Sequence, residues 1–299
     1  MIYPAWFAHI RFCYPFGGTS LANMTLEYSL QPGLIDIGAN LTHPSFDPDR
    51  DTVLARARNA GVSRMIVTGA DPDHSHGAAI LAARYPLILY ATAGVHPHHA
   101  DRFTPEARAE LSALLARPEV VATGECGLDY YRDFCPRSIQ RRSFREQIKL
   151  AIACARPLFL HQREAYADFI SILDEFSTGL PPVVVHCFTG DAGELEAYLE
   201  RGFHIGITGW ICDERRGSHL LDLVASIPSG RLMLETDAPY LLPRDLMPRP
   251  RTRRNEPFRL AHIAAVVARA RGQTLAALAA ETTATAERFF HLAAADALQ

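Results

Sequence analysis

Eight short runs of β-branched and apolar residues recur along the chain, and between them lie longer stretches patterned as helices. The runs cover residues 34–37, 65–68, 88–95, 120–124, 158–161, 183–186, 204–208 and 232–235. Intervening stretches such as 53–60 and 111–115 place apolar residues at helical spacing. Glycine and proline mark the joins, at Gly61, Pro118, Pro157, Gly202 and Pro228. Eightfold strand–helix alternation permits two architectures, a closed parallel barrel or a doubly wound open sheet.

The polar residues decide between them. His96 and Glu125 follow runs three and four, His161 and His186 end runs five and six, and Asp237 follows run eight. Side chains spread over so many strand ends meet at one point only if the sheet closes. The C-terminal rim of a (β/α)₈ TIM barrel is where such enzymes place their chemistry. No G-x-G-x-x-G follows the first run, which counts against a dinucleotide fold. The expected organisation is one barrel domain over residues 34–299, closed by one or two Ala-rich helices within 275–297, behind an extension of residues 1–33. That extension is aromatic and nearly uncharged. Met24 leaves open whether it is a surface extension or the product of a start set too far upstream.

Composition removes some classes. Thirty basic against 33 acidic residues give a net charge of −3, so a nucleic-acid partner must be held by a local basic patch. No run reaches the roughly 18 apolar residues of a membrane span, and the N-terminus lacks a secretory pattern. The six cysteines at 13, 126, 135, 154, 187 and 212 form no C-x-x-C pair. They read as reduced thiols of a cytoplasmic protein with no obligate protein partner.

A histidine ending an apolar strand is commonly a satisfied rim residue. Two in successive units, His161 and His186, would stand side by side, where imidazole nitrogens can share a divalent ion. Glu125 on the preceding strand would complete a His₂Glu set; the plainer reading is a salt bridge to an arginine. Gly124 and Gly127 permit tight backbone geometry around it. Asp237 could cap a turn, ligate the ion, or take a proton from the attacking water.

Six motifs stand in order along the chain: Ala93-Gly-Val-His-Pro-His, Gly124-Glu-Cys-Gly-Leu-Asp, His161-Gln-Arg-Glu-Ala, His186-Cys-Phe-Thr-Gly, Glu235-Thr-Asp-Ala-Pro-Tyr-Leu and Arg254-Asn-Glu-Pro. Through them the chain resembles the TatD-type metal-dependent hydrolases, within the wider amidohydrolase-like barrels. The likeness runs from Asp36 to about Phe290. It implies metal-dependent phosphodiester hydrolysis, with 3′-to-5′ exonuclease activity on single-stranded DNA and RNA. It implies Glu125, His161 and His186 on the metal, Asp237 as ligand or base, His96 facing the scissile phosphate and Arg163 on a phosphate. Mg²⁺ is the expected ion, with Mn²⁺ or Zn²⁺ as substitutes.

One departure matters. Many members of the wider family carry His-x-His at the end of the first strand for a second metal, whereas this chain reads Gly38-Ala39-Asn40. A second ion would rely on Asp237, Glu125 and substrate oxygens. Restoring the pair with Gly38→His and Asn40→His is expected to raise occupancy, provided the strand tolerates the bulk.

Other residues carry weaker signals. His98 and His99 are expected at the rim, and His43, His74 and His76 in solvated loops. Trp210 and Tyr240 either pack or stack on an unpaired base. Arg244, Arg249, Arg251, Arg253 and Arg254 lie among prolines, as a solvated loop or a backbone-binding patch. Two further activities fit the same residues. One is hydrolysis of a carboxylic ester or amide, such as an aminoacyl-tRNA ester; the other is non-catalytic nucleic-acid binding.

Overall fold

The computed structural model describes residues 33–292, so the readings for the N-terminal extension and for residues 293–299 lie outside it. All eight predicted runs form strands: β1 (Leu34–Ala39), β2 (Val62–Val67), β3 (Leu89–Ala93), β4 (Val120–Asp129), β5 (Leu158–Arg163), β6 (Val183–Val185), β7 (His204–Ile207) and β8 (Leu232–Leu234). Neighbours in sequence pair in parallel in the order β1 to β8. The seam between first and last closes at the C-terminal end. There the Asp237 amide donates to Gly38 O at 2.8 Å and the Asn40 amide to Ala238 O at 2.7 Å. The closed alternative anticipated from the polar residues is therefore the one observed.

The helices are α1 (Arg50–Asn59), α2 (Pro72–Arg84), α3 (Pro105–Leu115), α4 (Arg137–Cys154), α5 (Tyr166–Asp174), α6 (Ala192–Glu200), α7 (His219–Ser226), α8 (Leu260–Ala270) and α9 (Leu275–Phe290). Their starts follow local chemistry. Asp71, Thr104, Asp191 and Thr274 each accept a backbone N–H of the first turn of α2, α3, α6 and α9. Among the described residues no helix is long and apolar enough to cross a membrane.

Two apolar cores result. One fills the space between strands and helices. The other runs up the barrel axis through Ile35, Ile37, Ile66, Val121, Phe159, Val184 and Met233, and α9 seals its floor with Phe289 and Phe290. At about 1.5–3 kcal/mol for each large side chain buried, this axial stack fixes the level at which polar residues emerge above it.

Strand four differs from its prediction. It continues past Gly124 because Cys126 to Asp129 pair with Leu160 to Arg163, after a register shift between Thr123 and Cys126. Glu125 therefore lies within the strand, at its irregular point, and not after it. The shift turns the Glu125 amide to Gly69 O, at 2.7 Å, beyond the end of β2.

Candidate active site

Four predicted residues converge at the C-terminal rim. Glu125 Oε1 lies 2.8 Å from His186 Nε2, 3.2 Å from His161 Nδ1 and 3.3 Å from His96 Nε2. Asp237 sits across the mouth, where Asn40 Nδ2 donates to its Oδ1 at 3.0 Å. These residues line one cavity of about 560 Å³, together with Arg163, Arg132, Trp210 and Tyr240. Asp237, the third residue after β8, is in the left-handed region, φ 54°, a conformation that aspartate tolerates better than most residues.

The second ring nitrogen of each histidine decides what the first can do. His186 Nδ1 is 3.2 Å from buried Glu235, and His161 Nε2 is 3.3 Å from buried Asp129. Each carboxylate holds an N–H on its own side, leaving a lone pair on the nitrogen that faces Glu125. Imidazoles so braced by carboxylates are the usual form of metal-ligating histidine. His96 is wired differently: its Nδ1 accepts the His98 amide at 3.1 Å. In the neutral ring the proton is then on Nε2, which makes His96 a donor toward the cavity. His96, Glu125 and His161 lie close enough to share an ion, but this tautomer favours Glu125, His161 and His186 as the donor set. Two lone pairs facing a carboxylate oxygen are reconciled by a proton or by a cation, and a divalent ion would fit.

Protonation preferences agree for His96, whereas at His186, with no ion bound, they favour a proton on the nitrogen that an ion would take. Burial pushes His96 down to about 4, only partly offset by Glu125, so it is neutral near pH 7. Burial opposes charge on His186 as well, yet Glu125 and Glu235 raise it well above the usual histidine range. Glu125 is held well below the carboxylate range because His186 and His96 outweigh its burial. Burial raises Asp237 to about 7, with His186 opposing and the Glu125 charge reinforcing. A carboxylate poised near neutrality can both take and release a proton.

Sequence reasoning missed the bracing acids. Asp129 accepts from His98 Nε2, 2.8 Å away, as well as from His161. His98 thus belongs to the site's framework, while His74 and His76 are exposed as expected but lie on helix α2, not in a loop. Glu235 also accepts the Cys187 amide at 2.5 Å. Its carboxylate lies between two glycines: a Cβ on Gly38 or on Gly206 would come within 2.5 Å of it. The Glu235 carboxylate occupies the space of a side chain at 38, so Gly38→His requires Glu235 to shift. The only sequence signals were that Asp129 and Glu235 end and begin two of the six motifs.

The arginines divide. Arg163 stacks over Tyr131 at 3.9 Å, with Trp210 at 5.7 Å, beside the cavity. Arg249, Arg251 and Arg253 are exposed, with no ion pair among the described residues. Arg254 must be corrected as a patch residue. Both its terminal nitrogens pair with Asp49 at 2.8 Å, and one also pairs with Glu256, which fixes the loop to the start of α1. Its donors are already used, which leaves Arg249, Arg251 and Arg253 exposed and unpaired among the described residues, with Arg244 exposed 3.8 Å from Asp213.

Comparison with known proteins gives one family. The TatD-related DNases match residues 35–291. The 3′-5′ ssDNA/RNA exonuclease TatD of Erwinia tasmaniensis is 51% identical over 259 residues, covering 87% of this chain and all of that one. Its counterpart from Cronobacter sakazakii is 51% identical over 257 residues, covering 86% and 97%. Among solved structures, the TatD homologue YJJV from Escherichia coli K12 superposes with a TM-score of 0.79 at 29% identity, over 87% of this chain and 98% of that one.

Proposed function

The chain belongs to the TatD-related DNase family, and from that premise we propose that it is a divalent-metal-dependent exonuclease that cleaves single-stranded DNA and RNA from the 3′ end. The observation that carries the reading is the convergence of the His161 and His186 nitrogens on Glu125, each ring braced from behind by a buried acid. Glu125, His161 and His186 would hold the ion, with Asp237 at its open side. Mg²⁺ is the expected ion and Mn²⁺ a substitute. When bound, the ion supplies Lewis-acid activation of a phosphate oxygen and acidifies the attacking water.

The chain's own groups do the rest. Asp237, raised to about 7, accepts the proton of the attacking water. Neutral His96 donates its Nε2–H to a non-bridging phosphate oxygen, and Arg163 and Arg132 at the mouth neutralise phosphate charge. Gly38, in place of a ligand, leaves a second ion dependent on oxygen donors, so one ion is held firmly and any second arrives with substrate. Free thiols at Cys126, Cys135, Cys154, Cys187 and Cys212 support a reducing, cytoplasmic setting.

The test is digestion of single strands labelled at either end, with and without chelator. Release of the 3′ label as mononucleotides, abolished by chelation and restored by Mg²⁺ or Mn²⁺, is expected. Activity that survives complete chelation, or release of the 5′ label first, would overturn the reading.

A further inference from the structure

A second set of ligand-type side chains lies outside the catalytic cavity. Cys212 ends the short helical turn Gly209–Cys212 that follows β7; Asp245 lies in the long loop after β8; His262 lies in the first turn of α8. One potential ligand atom from each lies within 4.8 Å of the other two. His262 Nε2 is 2.8 Å from Asp245 Oδ1, and the Cys212 thiol lies within 4.8 Å of a carboxylate oxygen of Asp245. None of the three lines the active-site cavity. Cys212 is buried, while Asp245 is exposed, so an ion could enter from the Asp245 side.

We propose that Cys212, Asp245 and His262 form a second metal site, selective for Zn²⁺-class ions and distinct from the catalytic centre. The donor set is the argument. A thiolate, an imidazole and a carboxylate make a mixed S/N/O site that suits Zn²⁺ and is poorly matched to Mg²⁺, which prefers oxygen alone. Tetrahedral bonds of about 2.0–2.3 Å put ligand atoms roughly 3.3–3.8 Å apart. The observed span, 2.8 Å to at most 4.8 Å, brackets that range. Insertion would replace the His262–Asp245 hydrogen bond, shifting the Nε2 proton of neutral His262 to Nδ1, and release one proton from the Cys212 thiol, with water as the fourth ligand. Burial, reinforced by Asp245, holds that thiol protonated otherwise, so uptake falls as pH falls. Arg269 lies near both Cys212 and Asp245 and competes with the ion for their charge. The three ligands come from three segments, and Asp245 stands four residues before Arg249. An ion here would tie the root of the arginine loop to α8 and to the turn bearing Trp210.

The test is Co²⁺ titration of the full chain after removal of bound ions, read by thiolate-to-cobalt charge-transfer absorption. A carboxylate–imidazole centre at the rim gives no such band unless Cys187 joins it, so Cys187→Ser is the control. The band should appear in the parent and in Cys187→Ser, be displaced by Zn²⁺ but not by Mg²⁺, and be lost in Cys212→Ser, Asp245→Asn and His262→Ala. Should the buried Cys212→Ser variant fail to fold, the more accessible Asp245→Asn and His262→Ala variants carry the test alone. No band in the parent, a band that survives these substitutions, or a band lost in Cys187→Ser would overturn the proposal.

Discussion

The two ends of this barrel are built on opposite rules. At the floor, α9 closes the axis with Phe289 and Phe290 against Ile35, Val121 and Val184. Arg64, buried there, is paired with Glu287. At the rim, Glu125, Glu235 and Asp129 are all buried among imidazoles, and Asp237 is held near neutrality. The floor spends its residues on matched surfaces. The rim concentrates carboxylates and imidazoles whose charge a bound cation would balance. The difference predicts a separation: rim substitutions should cost activity, and floor substitutions stability.

The largest effect should come from the donor set. Glu125→Ala or His161→Ala removes several kcal/mol of transition-state stabilisation, at least about a 10³-fold loss of kcat/KM. Thermal unfolding should barely fall; a collapse of Tm in both would mean that the rim is structural after all. Asp237→Asn comes next. It keeps shape and removes basicity, so kcat should drop by about 10²–10⁴-fold with little change in substrate affinity. Weakened metal binding instead would make Asp237 a ligand.

At the floor, Phe289→Ala should destabilise by about 3–5 kcal/mol while leaving kcat intact at temperatures where the protein is folded. His204, packed edge-on to Phe289 at 4.8 Å, gives a pH test of the same end. Burial, with Arg231 reinforcing, lowers it from 6.5 to about 4. Between those values the unfolded chain binds a proton that the folded chain does not. Stability is therefore complete above about 6.5 and is lost as pH falls toward 4, by at most about 3 kcal/mol. Chemical denaturation of His204→Gln across this range should show a flatter slope than the parent.

The smallest effect lies on the outermost rim. Neutralising Arg249, Arg251 and Arg253 together should flatten the salt dependence of single-strand binding by up to about 2 in the log–log slope. Arg254→Ala should leave that slope unchanged and lower Tm slightly, since its partners are Asp49 and Glu256. An identical effect from both would erase the distinction between the patch and its anchor.

Much of the site was legible in the chain because strand-end residues are set by local sequence. An apolar run that stops at His161 or His186 delivers an imidazole to the rim of a closed parallel barrel, whatever the loops do. The order of the motifs fixed which strand bears which group. Other features escaped for a common reason. Glu235 reads as one more residue ending a strand, and its role depends on Gly38 and Gly206 standing on either side of it. Asp129 reads as loop until the register shift in β4 extends the strand to it. Arg254 reads as a patch arginine until Asp49, 205 positions away, takes its guanidinium.

Sequence alone determined the eight strands, their parallel order and the residues that reach the rim, because hydrophobic period and strand ends are properties of consecutive residues. Tertiary structure alone decided which acid braces each histidine and what a side chain at position 38 would meet. It also decided which arginines remain unpaired. Each of those depends on an atom brought within about 3 Å by closure of the barrel, and closure joins residues that no local pattern relates.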